Sequence, residues 1–504
     1  MAYFSSSSSN PVLFSTLSLV CFFFFFSENK SFVSATRSEE ASNELQHNTH
    51  SRVSLSSLFP SSSCSSPPQG ANRNGSLEVV HKHGPCSKLK QPSSSSSPSS
   101  FIIQHSEILK QDEARVRAIQ YELSKTHQNH HQEQVETSTK GSDGTQLPAK
   151  SAIPLLGGNY YVTVGLGSPK RDLSLVFDTG SDLTWTQCKP CARSCYSQKE
   201  PIFDPSQSSS YSNISCSSSQ CSQLVSATGI RSACSKATRA CLYGVQYGDG
   251  SFSIGFFAKE KLTVSSTDVF DNFFFGCGQN NGGLFRGIAG LLGLGRSLVS
   301  IVEQTAQKYR KIFSYCLPST LNTVGYLNFG GVSSNTNIKY IPFSSNFRNS
   351  SFYVLDLIGI AFGGANLPIA ASVFSRGTVV DSGTVITRLP PAAYSPLSDA
   401  FQKFMSARYP KGDSDDLLGT CYDLSGYKSF SVPSISLLFK GGVNVELAGI
   451  GVVYIASQKQ VCLGFAANKK DGDVAIIGNT QQKTLEIVYD VGGERIGFRP
   501  LGCN

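Results

Sequence analysis

Outside residues 12–26, the 504-residue sequence has no apolar run long enough to be considered as a membrane span. That run is short, interrupted by serines and close to the start, which favours a cleaved signal peptide over an anchor. Small residues at 33–35 suit a signal peptidase, so we predict a signal peptide over residues 1–35 and a secreted, apoplastic protein. No lysine or arginine precedes the run, which leaves a chloroplast transit peptide as the alternative. The final residues, 498–504, are too polar for a GPI signal.

A clustered basic stripe, the usual mark of a nucleic-acid surface, is also missing. The chain has 43 Lys plus Arg against 35 Asp plus Glu, a formal charge of +8 spread along its length. The nearest approach to a cluster is KYRK at residues 308–311, which is short. We therefore expect protein or peptide partners and no nucleic-acid partner. No oligomerisation signal is visible, so we also expect a monomer.

Cysteine, by contrast, is abundant. Of the 15 cysteines, 12 follow residue 152, and this even number predicts six disulfides formed in an oxidising compartment. The alternative is a zinc site, because Cys188 and Cys191 have ligand spacing, but that site would leave most other thiols unexplained. We expect disulfides and neither a metal nor another cofactor. The twelve are Cys188, Cys191, Cys195, Cys216, Cys221, Cys234, Cys241, Cys277, Cys316, Cys421, Cys462 and Cys503.

Seven of these cysteines fall in residues 188–241, a serine-rich stretch with few apolar residues. A loop with so little core needs covalent links to stay ordered. Seven is an odd number, so if all of them pair, at least one partner lies outside the insert. The candidates are Cys277, Cys316 and Cys503.

Residues 36–151 differ in composition from the rest of the chain. Serine-rich tracts around 54–66 and 93–100 cannot bury enough apolar surface to fold alone. Between and after them, an extended strand is predicted near 77–86 and an amphipathic helix over 106–123. We therefore expect a partly disordered, removable segment, followed by two folded lobes at 152–340 and 341–504.

A short sequence occurs twice in those lobes: VFDTGS at residues 176–181 and VVDSGT at residues 379–384. The apolar pair is typical of the end of a buried strand, and the glycine permits a tight turn. Each copy is followed later by an apolar-apolar-glycine stretch, LLG at 291–293 and IIG at 476–478. The sequence therefore predicts an all-β chain with a duplicated unit that presents one carboxylate per copy.

Asp178 and Asp381 become a catalytic pair if the two turns meet. Two carboxylates a few ångströms apart cannot both ionise cheaply, so one keeps its proton while the other loses it. Such a pair can deprotonate a water between them and protonate the carbonyl that the water attacks. The neighbouring residues have supporting roles: hydroxyls to bond the outer carboxylate oxygens or to tie the turns together, and glycines to make the turns. They are Thr179, Gly180, Ser181, Ser382, Gly383 and Thr384.

These motifs resemble those of the pepsin-type aspartic proteases, in which a carboxylate pair sharing one proton is the known catalytic device. Within that superfamily, the chain is similar to the plant nepenthesin-like branch over roughly residues 155–504. That branch includes apoplastic aspartyl proteases and a chloroplast nucleoid DNA-binding protease. The resemblance implies a bilobal fold with the active site in the cleft between the lobes. It also implies an aspartic-type endopeptidase (EC 3.4.23 class) that hydrolyses protein substrates at acidic pH.

The resemblance assigns further residues. QYGDGS at 246–251 matches the flap that closes over substrate, with Tyr247 and Gly248 at its tip and Trp185 as its support. The insert at 188–241 resembles the cysteine-rich insert of nepenthesins, and Cys421–Cys462 matches a family disulfide. We assign Asp249 no catalytic role.

The resemblance also implies that residues 36–151 are an inhibitory propeptide, from which a lysine pairs with the two aspartates at neutral pH. Sequons at Asn213 and Asn349 fit a secreted glycoprotein. Two alternatives remain open. One is a proteolytically inactive, pepsin-like binding or inhibitor protein, and the other is a chloroplast aspartic protease with DNA affinity.

Overall fold

The computed structural model describes two parts of the chain, an N-terminal segment and a larger body. The N-terminal segment comprises the described residues 49–58, 63–65, 75–89 and 98–128, with only the backbone described at 98–104 and 125–128. The body comprises residues 160–500 and 503, apart from 249, 284, 286, 321, 332–336, 349 and 415–416. The predicted signal peptide lies outside the described residues.

Four elements form the N-terminal segment: β1 (His50–Ser54), α1 (Leu55–Leu58), β2 (Ser76–His81) and α2 (Pro98–Gln128). Helix α2 is longer than the predicted 106–123, whereas β2 is shorter than the predicted 77–86. Within the serine-rich tract at 54–66, Leu55 and Leu58 are buried in the core of the body. A segment that cannot fold alone thus gains order by packing on a larger partner.

The first half of the body is mostly strand and carries three short helices. Its elements are β3 (Tyr160–Leu166), β4 (Arg171–Asp178), β5 (Trp185–Gln187), β6 (Ser212–Asn213), α3 (Ser219–Thr228), β7 (Ala233–Cys234), β8 (Cys241–Gln246), β9 (Phe252–Thr263), β10 (Val269–Gly282), β11 (Gly290–Gly293), α4 (Ile301–Gln304), α5 (Ala306–Tyr309), β12 (Ile312–Cys316) and β13 (Gly325–Phe329). Both ends of α3 are capped: the Ser218 hydroxyl accepts from the Cys221 N–H, and Gly229 ends the helix in the left-handed conformation.

The second half of the body has the same character, with one longer helix, α6. Its elements are β14 (Lys339–Pro342), β15 (Val354–Leu355), β16 (Leu357–Phe362), β17 (Ala365–Asn366), β18 (Thr378–Val380), β19 (Thr387–Leu389), α6 (Pro391–Ser406), β20 (Cys421–Asp423), β21 (Ser429–Pro433), β22 (Ile435–Phe439), β23 (Val443–Leu447), α7 (Gly449–Val452), β24 (Val453–Ser457), β25 (Gln460–Leu463), β26 (Phe465–Ala467), β27 (Ala475–Ile477), α8 (Asn479–Gln482), β28 (Glu486–Asp490) and β29 (Arg495–Arg499).

The two halves share a four-strand unit. Its order is β4-β11-β5-β10 in the first half and β18-β27-β19-β26 in the second. In both units, the first two strands are parallel, the middle two antiparallel and the last two parallel. The predicted duplication and the bilobal, all-β fold class are confirmed. Each aspartate stands at or just after the end of the first strand of its unit, β4 or β18.

One long sheet joins the halves. Strands β28 and β29, from the end of the chain, pair with β12 and β14 from other parts of the body. Strand β2 of the N-terminal segment lies in the same sheet, between β13 and β3. Its alternate residues Leu77 and Val79 are buried in the main core. The N-terminal segment therefore contributes one strand, β2, to this sheet in the intact chain.

Seven disulfides are present in the described residues. The six expected after residue 152 are confirmed, and Cys421–Cys462 is among them. The odd cysteine of the insert is Cys188, which bonds Cys277 on β10. A seventh bridge, Cys64–Cys86, was not predicted and closes a loop within the N-terminal segment. The others are Cys191–Cys195, Cys216–Cys234, Cys221–Cys241 and Cys316–Cys503.

Candidate active site

Asp178 and Asp381 meet in the cleft between the two halves. Their side chains are 1% and 0% exposed. The apolar residues before them, Phe177 and Val380, belong to the main core and fix the strands that deliver the carboxylates. The duplicated strand-and-turn sequence therefore produces a symmetric pair of acids at the centre of the molecule.

The hydroxyl residue after each aspartate links the two turns. The Thr179 N–H donates to the Ser382 Oγ at 3.2 Å, and the Ser382 N–H donates to the Thr179 Oγ1 at 3.0 Å. All the donors and acceptors of this link are buried, where hydrogen bonds hold geometry firmly. The separation of the two acids is thus set by a reciprocal contact between their own turns.

Each carboxylate also accepts two bonds from its own turn. The Gly180 N–H lies 3.0 Å from the Asp178 Oδ1, and the Ser181 hydroxyl donates to the Asp178 Oδ2. In the second copy, the Gly383 N–H lies 3.3 Å from the Asp381 Oδ1, and the Thr384 hydroxyl lies 2.5 Å from the Asp381 Oδ2. Both acids are therefore oriented with one oxygen of each facing the other copy.

The guanidinium of Arg115, from helix α2, lies between the two acids. Its Nη2 is 2.7 Å from the Asp178 Oδ1 and 2.6 Å from the Asp381 Oδ1, and its Nε is 2.7 Å from the Asp381 Oδ2. A Cβ at Gly180 would lie 2.8 Å from the Arg115 Nη2, so the glycines of the two turns leave the room that this group fills. In the intact chain, one cation occupies the space between the carboxylates.

The expectation of a lysine here is wrong. A guanidinium presents parallel donors in a plane and can bond two carboxylates at once, whereas an ammonium is a point charge. A sequence signal was present: residues 108, 112, 115 and 119 lie on one face of a helix, and two of these four are charged. Two charged residues within an otherwise apolar helix face indicate side chains that are buried in a polar site.

The electrostatics of the site favour the ion pair. Burial alone would raise the pKa of Asp381, but Arg115 and the hydrogen bonds from Thr384 and Gly383 hold that pKa below its ordinary value. Burial disfavours the charge on Arg115, but Asp178 and Asp381 outweigh it and raise the pKa of that guanidinium. The arrangement is a buried, charge-compensated state in which the acids can neither share a proton nor hold a water between them.

A second carboxylate–guanidinium contact lies one helical turn away. Asp112 is fully buried and accepts from the N–H groups of Val385 at 2.5 Å and Ile386 at 3.2 Å. Its Oδ2 is also 3.0 Å from the Nη2 of Arg388, on β19. Sequence analysis missed both charged residues. Together with Arg115, Asp112 fixes the position of α2 along the cleft.

The flap lies over the same helix. Strands β8 and β9 form its arms, and the Trp185 Nε1 donates to the Tyr247 hydroxyl at 2.6 Å. The Trp185 ring also packs edge-on against Phe285 at 4.9 Å. A Cβ at Gly248 would collide with Ala118 of α2, so the flap tip rests directly on the helix. Trp185 thus contacts the flap tyrosine, as the resemblance implies, while Asp249 lies outside the described residues.

The Trp185–Tyr247 bond gives a testable prediction. Trp185→Phe is expected to lower kcat/KM roughly tenfold, because the buried Tyr247 hydroxyl loses the donor that positions the flap. The measurement is steady-state cleavage of a peptide, with the melting temperature recorded for each variant. The matched control is Tyr196→Phe, because Tyr196 stacks on the same Phe285 and its hydroxyl has no partner among the described residues. Equal losses in both variants would assign the effect to aromatic packing instead.

Of the two sequons, Asn213 is exposed on β6, and Asn349 lies outside the described residues. Asn213 accepts a hydrogen bond from the Tyr211 hydroxyl at 2.7 Å. No described helix is both long enough and apolar enough to cross a membrane.

Two family models match, "Xylanase inhibitor N-terminal" over residues 160–331 and "Xylanase inhibitor C-terminal" over residues 352–500. An aspartyl protease family protein of Arabidopsis thaliana is 50% identical over 468 residues, covering 92% of this chain and 95% of the relative. Aspartic proteinase nepenthesin-2 of Nepenthes gracilis is 34% identical over 380 residues, covering 72% of this chain and 81% of the relative.

Solved structures show the same fold at low identity. The crystal structure of edgp has a TM-score of 0.54 and 21% identity, covering 70% of this chain and 93% of that one. Basic 7S globulin from soybean has a TM-score of 0.54 and 18% identity, covering 70% and 94%. The duplicated β units with paired aspartates define a pepsin-like protein. With the relatives above, the chain belongs to the plant family of pepsin-type aspartic proteases.

Proposed function

We propose that the protein is an aspartic endopeptidase, made in a latent form, that hydrolyses peptide bonds of protein substrates at acidic pH. The observation that carries the proposal is the position of the Arg115 Nη2, which lies within 2.7 Å of one oxygen of each acid. A single small group can therefore contact both Asp178 and Asp381. With Arg115 withdrawn, that position suits the water that attacks a peptide carbonyl.

The chemistry follows from the two acids. Without the arginine, repulsion between the carboxylates keeps one of them protonated. The ionised acid takes a proton from the water as the water oxygen bonds to the carbonyl carbon, and the protonated acid gives its proton to the carbonyl oxygen. As the tetrahedral intermediate collapses, the nitrogen takes the proton from the acid that gained one and the C–N bond breaks. One of the two hydroxyls of the intermediate returns its proton to the other acid as it becomes the carbonyl of the product. Both acids then stand ready for another cycle.

The surroundings suit an extended peptide. The flap, with Tyr247 held by Trp185, would cover a substrate lying across the turns and exclude water from the reacting atoms. The cleft that α2 fills lies between the flap and the two turns. A peptide bound there would alternate its side chains between two sets of pockets.

We further propose that the N-terminal segment is the inhibitory propeptide. Three contacts support this role: α2 fills the cleft, β2 pairs in the central sheet, and β1 pairs with β21. Helix α2 is also anchored by Gln120, whose side-chain amide bonds both the N–H and the carbonyl of Val474. Secretion with glycosylation at Asn213 is proposed on the strength of the seven disulfides, which an oxidising compartment would supply.

One alternative has a specific observation in its favour. Both matching family models carry the description "Xylanase inhibitor", so a proteolytically inactive binding or inhibitor protein is the second candidate. Against it stands the complete set of hydrogen bonds around Asp178 and Asp381, which an inactive cleft would not need. Among the residues that the structure describes, no observation favours a chloroplast protease with DNA affinity.

The test is cleavage of acid-denatured globin by the acid-treated protein across pH 3 to 7, with and without pepstatin. The expected result is cleavage that is fastest at acid pH and blocked by pepstatin, because the pair needs one protonated and one ionised acid. Absence of cleavage by a folded protein from which the N-terminal segment has been released would overturn the enzyme proposal in favour of the binding protein.

A further inference from the structure

Apart from the two acids, the cleft contains a buried group that binds a carboxylate. Arg388 is 1% exposed, although it is fully charged in any protein. Its Nη1 donates to the Ile386 carbonyl at 3.0 Å, its Nη2 donates to Asp112, and its Nε has no partner among the described residues. A buried guanidinium left without an anion is costly.

Two backbone donors complete the binding site. The N–H groups of Val385 and Ile386 point at the two different oxygens of the Asp112 carboxylate, at 2.5 and 3.2 Å. With Arg388, three donors therefore converge on one carboxylate, a charge-assisted pattern that discriminates an acid from its amide. Glu113, 3.4 Å from the Arg388 Nη2 and 3.6 Å from the Lys469 Nζ, is the other acid nearby and is 28% exposed.

The pocket lies beside the catalytic pair. Val385 directly follows Thr384, whose hydroxyl bonds Asp381. Along the helix, Asp112 precedes Arg115 by three residues, which corresponds to about 4.5 Å of rise. An extended peptide advances about 3.3 Å per residue. A carboxylate in this pocket would therefore belong to a residue within about two positions of the scissile bond.

All three donors belong to the body and remain in the cleft when α2 leaves. We propose that Arg388 and the N–H groups of Val385 and Ile386 form a subsite for an acidic side chain, so that the active enzyme prefers peptides with Asp or Glu near the cleaved bond. In the intact chain, Asp112 occupies this subsite as the substrate's acid would. The inference rests on the proposed endopeptidase function and specifies its substrate class.

The test is a set of fluorogenic peptides of one sequence, with Asp, Asn or Ala placed in turn at each of three positions on either side of the cleaved bond. The assay runs at pH 5, above the ordinary aspartate pKa of about 3.9. At one position at least, we expect the acid-activated wild type to cleave the Asp peptide about tenfold faster in kcat/KM than the Asn peptide.

Arg388→Gln is expected to bring the Asp-to-Asn ratio of kcat/KM close to one. Lys469→Met is the matched control, because Lys469 is 68% exposed and contacts Glu113 without contacting Asp112. The Asp-to-Asn ratio of this variant should stay at the wild-type value.

Equal cleavage of Asp and Asn peptides by the wild type at every position would overturn the subsite, even if Arg388→Gln failed to fold, and would leave the endopeptidase proposal standing. Failure to cleave any peptide or globin would instead overturn the function on which the subsite rests.

Discussion

Arg115→Met should make the intact chain proteolytically active near pH 5.5, under conditions where the wild-type chain remains latent. The substitution keeps much of the side-chain length but leaves Asp178 and Asp381 buried without a counter-charge. Breaking a buried ion pair on one side costs about 3–5 kcal/mol. Since the acids regain water when α2 leaves, the population of the open form should increase by about two to four orders of magnitude.

The measurement is cleavage of a fluorogenic peptide by freshly purified chain, with electrophoresis to show that the N-terminal segment is still attached. Arg117→Met is the matched control, because Arg117 lies on the same helix, is 54% exposed and pairs only weakly with Glu113 at 3.8 Å. Arg115→Lys should give intermediate activity, since an ammonium lacks the fork that bonds both acids. If Arg115→Met stays as latent as Arg117→Met, the ion pair does not hold the cleft closed.

The same ion pair gives latency a pH dependence with a definite sign. Docking of α2 lowers the pKa of Asp381, so the docked form binds fewer protons than the open form. The part of the docking free energy that comes from Asp381 is fully present above the ordinary aspartate pKa of about 3.9. It is lost as the pH falls through the lowered pKa of Asp381. Arg115→Met removes this part of the pH dependence.

Other groups of the N-terminal segment change the free energy of docking at higher pH. Burial, with Lys483 nearby, lowers the pKa of His105 to about 4, and burial with His83 and Lys483 also lowers that of His81. Both histidines bind protons more readily once released, so docking weakens as the pH falls from about 6.5 toward 4. Burial raises the pKa of Asp112, which acts in the opposite direction. Release of the wild-type N-terminal segment should therefore become progressively easier below about pH 6.5 and be complete only below about pH 4, so that the wild-type chain is still mostly latent at pH 5.5.

The pair of aspartates was predictable from sequence because the signals for it are local. Each copy contains a strand, a turn glycine and the hydroxyls that bond its aspartate, and the duplication itself brings the copies together. The pair therefore depends on two short segments whose conformations are set by their own residues. The contact between Trp185 and Tyr247 was instead expected from the family resemblance, because the two residues are 62 positions apart and no local pattern links them.

Contacts made by the N-terminal segment were not predictable in this way. Which cation reaches the acids depends on how α2 docks on the body, so the sequence indicated a helix without showing that Arg115 would enter the cleft. Likewise, β2 was expected to be extended, but its neighbours β3 and β13 are far from it in sequence. Arg388 directly follows Thr387 in the sequence, and its contact with Asp112 is visible only in the structure.

Asp381→Asn and Asp178→Asn are each expected to lower kcat on globin by about four orders of magnitude. Asparagine keeps the shape of the side chain, and its carbonyl oxygen can still accept the bond from Thr384 or Ser181. It can neither take a proton from water nor share one with the remaining acid. The loss should therefore appear in kcat, while the folded structure and the binding of a peptide inhibitor change little.

Asp182→Asn is the control that separates this chemistry from a general effect of burying an amide. Asp182 is also buried, lies four residues after Asp178 and accepts from the Ser297 N–H at 2.8 Å. Burial raises its pKa to about 7, so it is already protonated in the acid assay and asparagine closely resembles that form. The activity of Asp182→Asn should stay within about threefold of wild type.

Residual activity above about 1% in Asp178→Asn or Asp381→Asn would mean that the other acid suffices and that a shared proton is not the basis of catalysis. A comparable loss in Asp182→Asn would mean that the cleft responds to any buried substitution, because the described hydrogen bond of the Asp182 side chain is to Ser297 and not to Asp178 or Asp381.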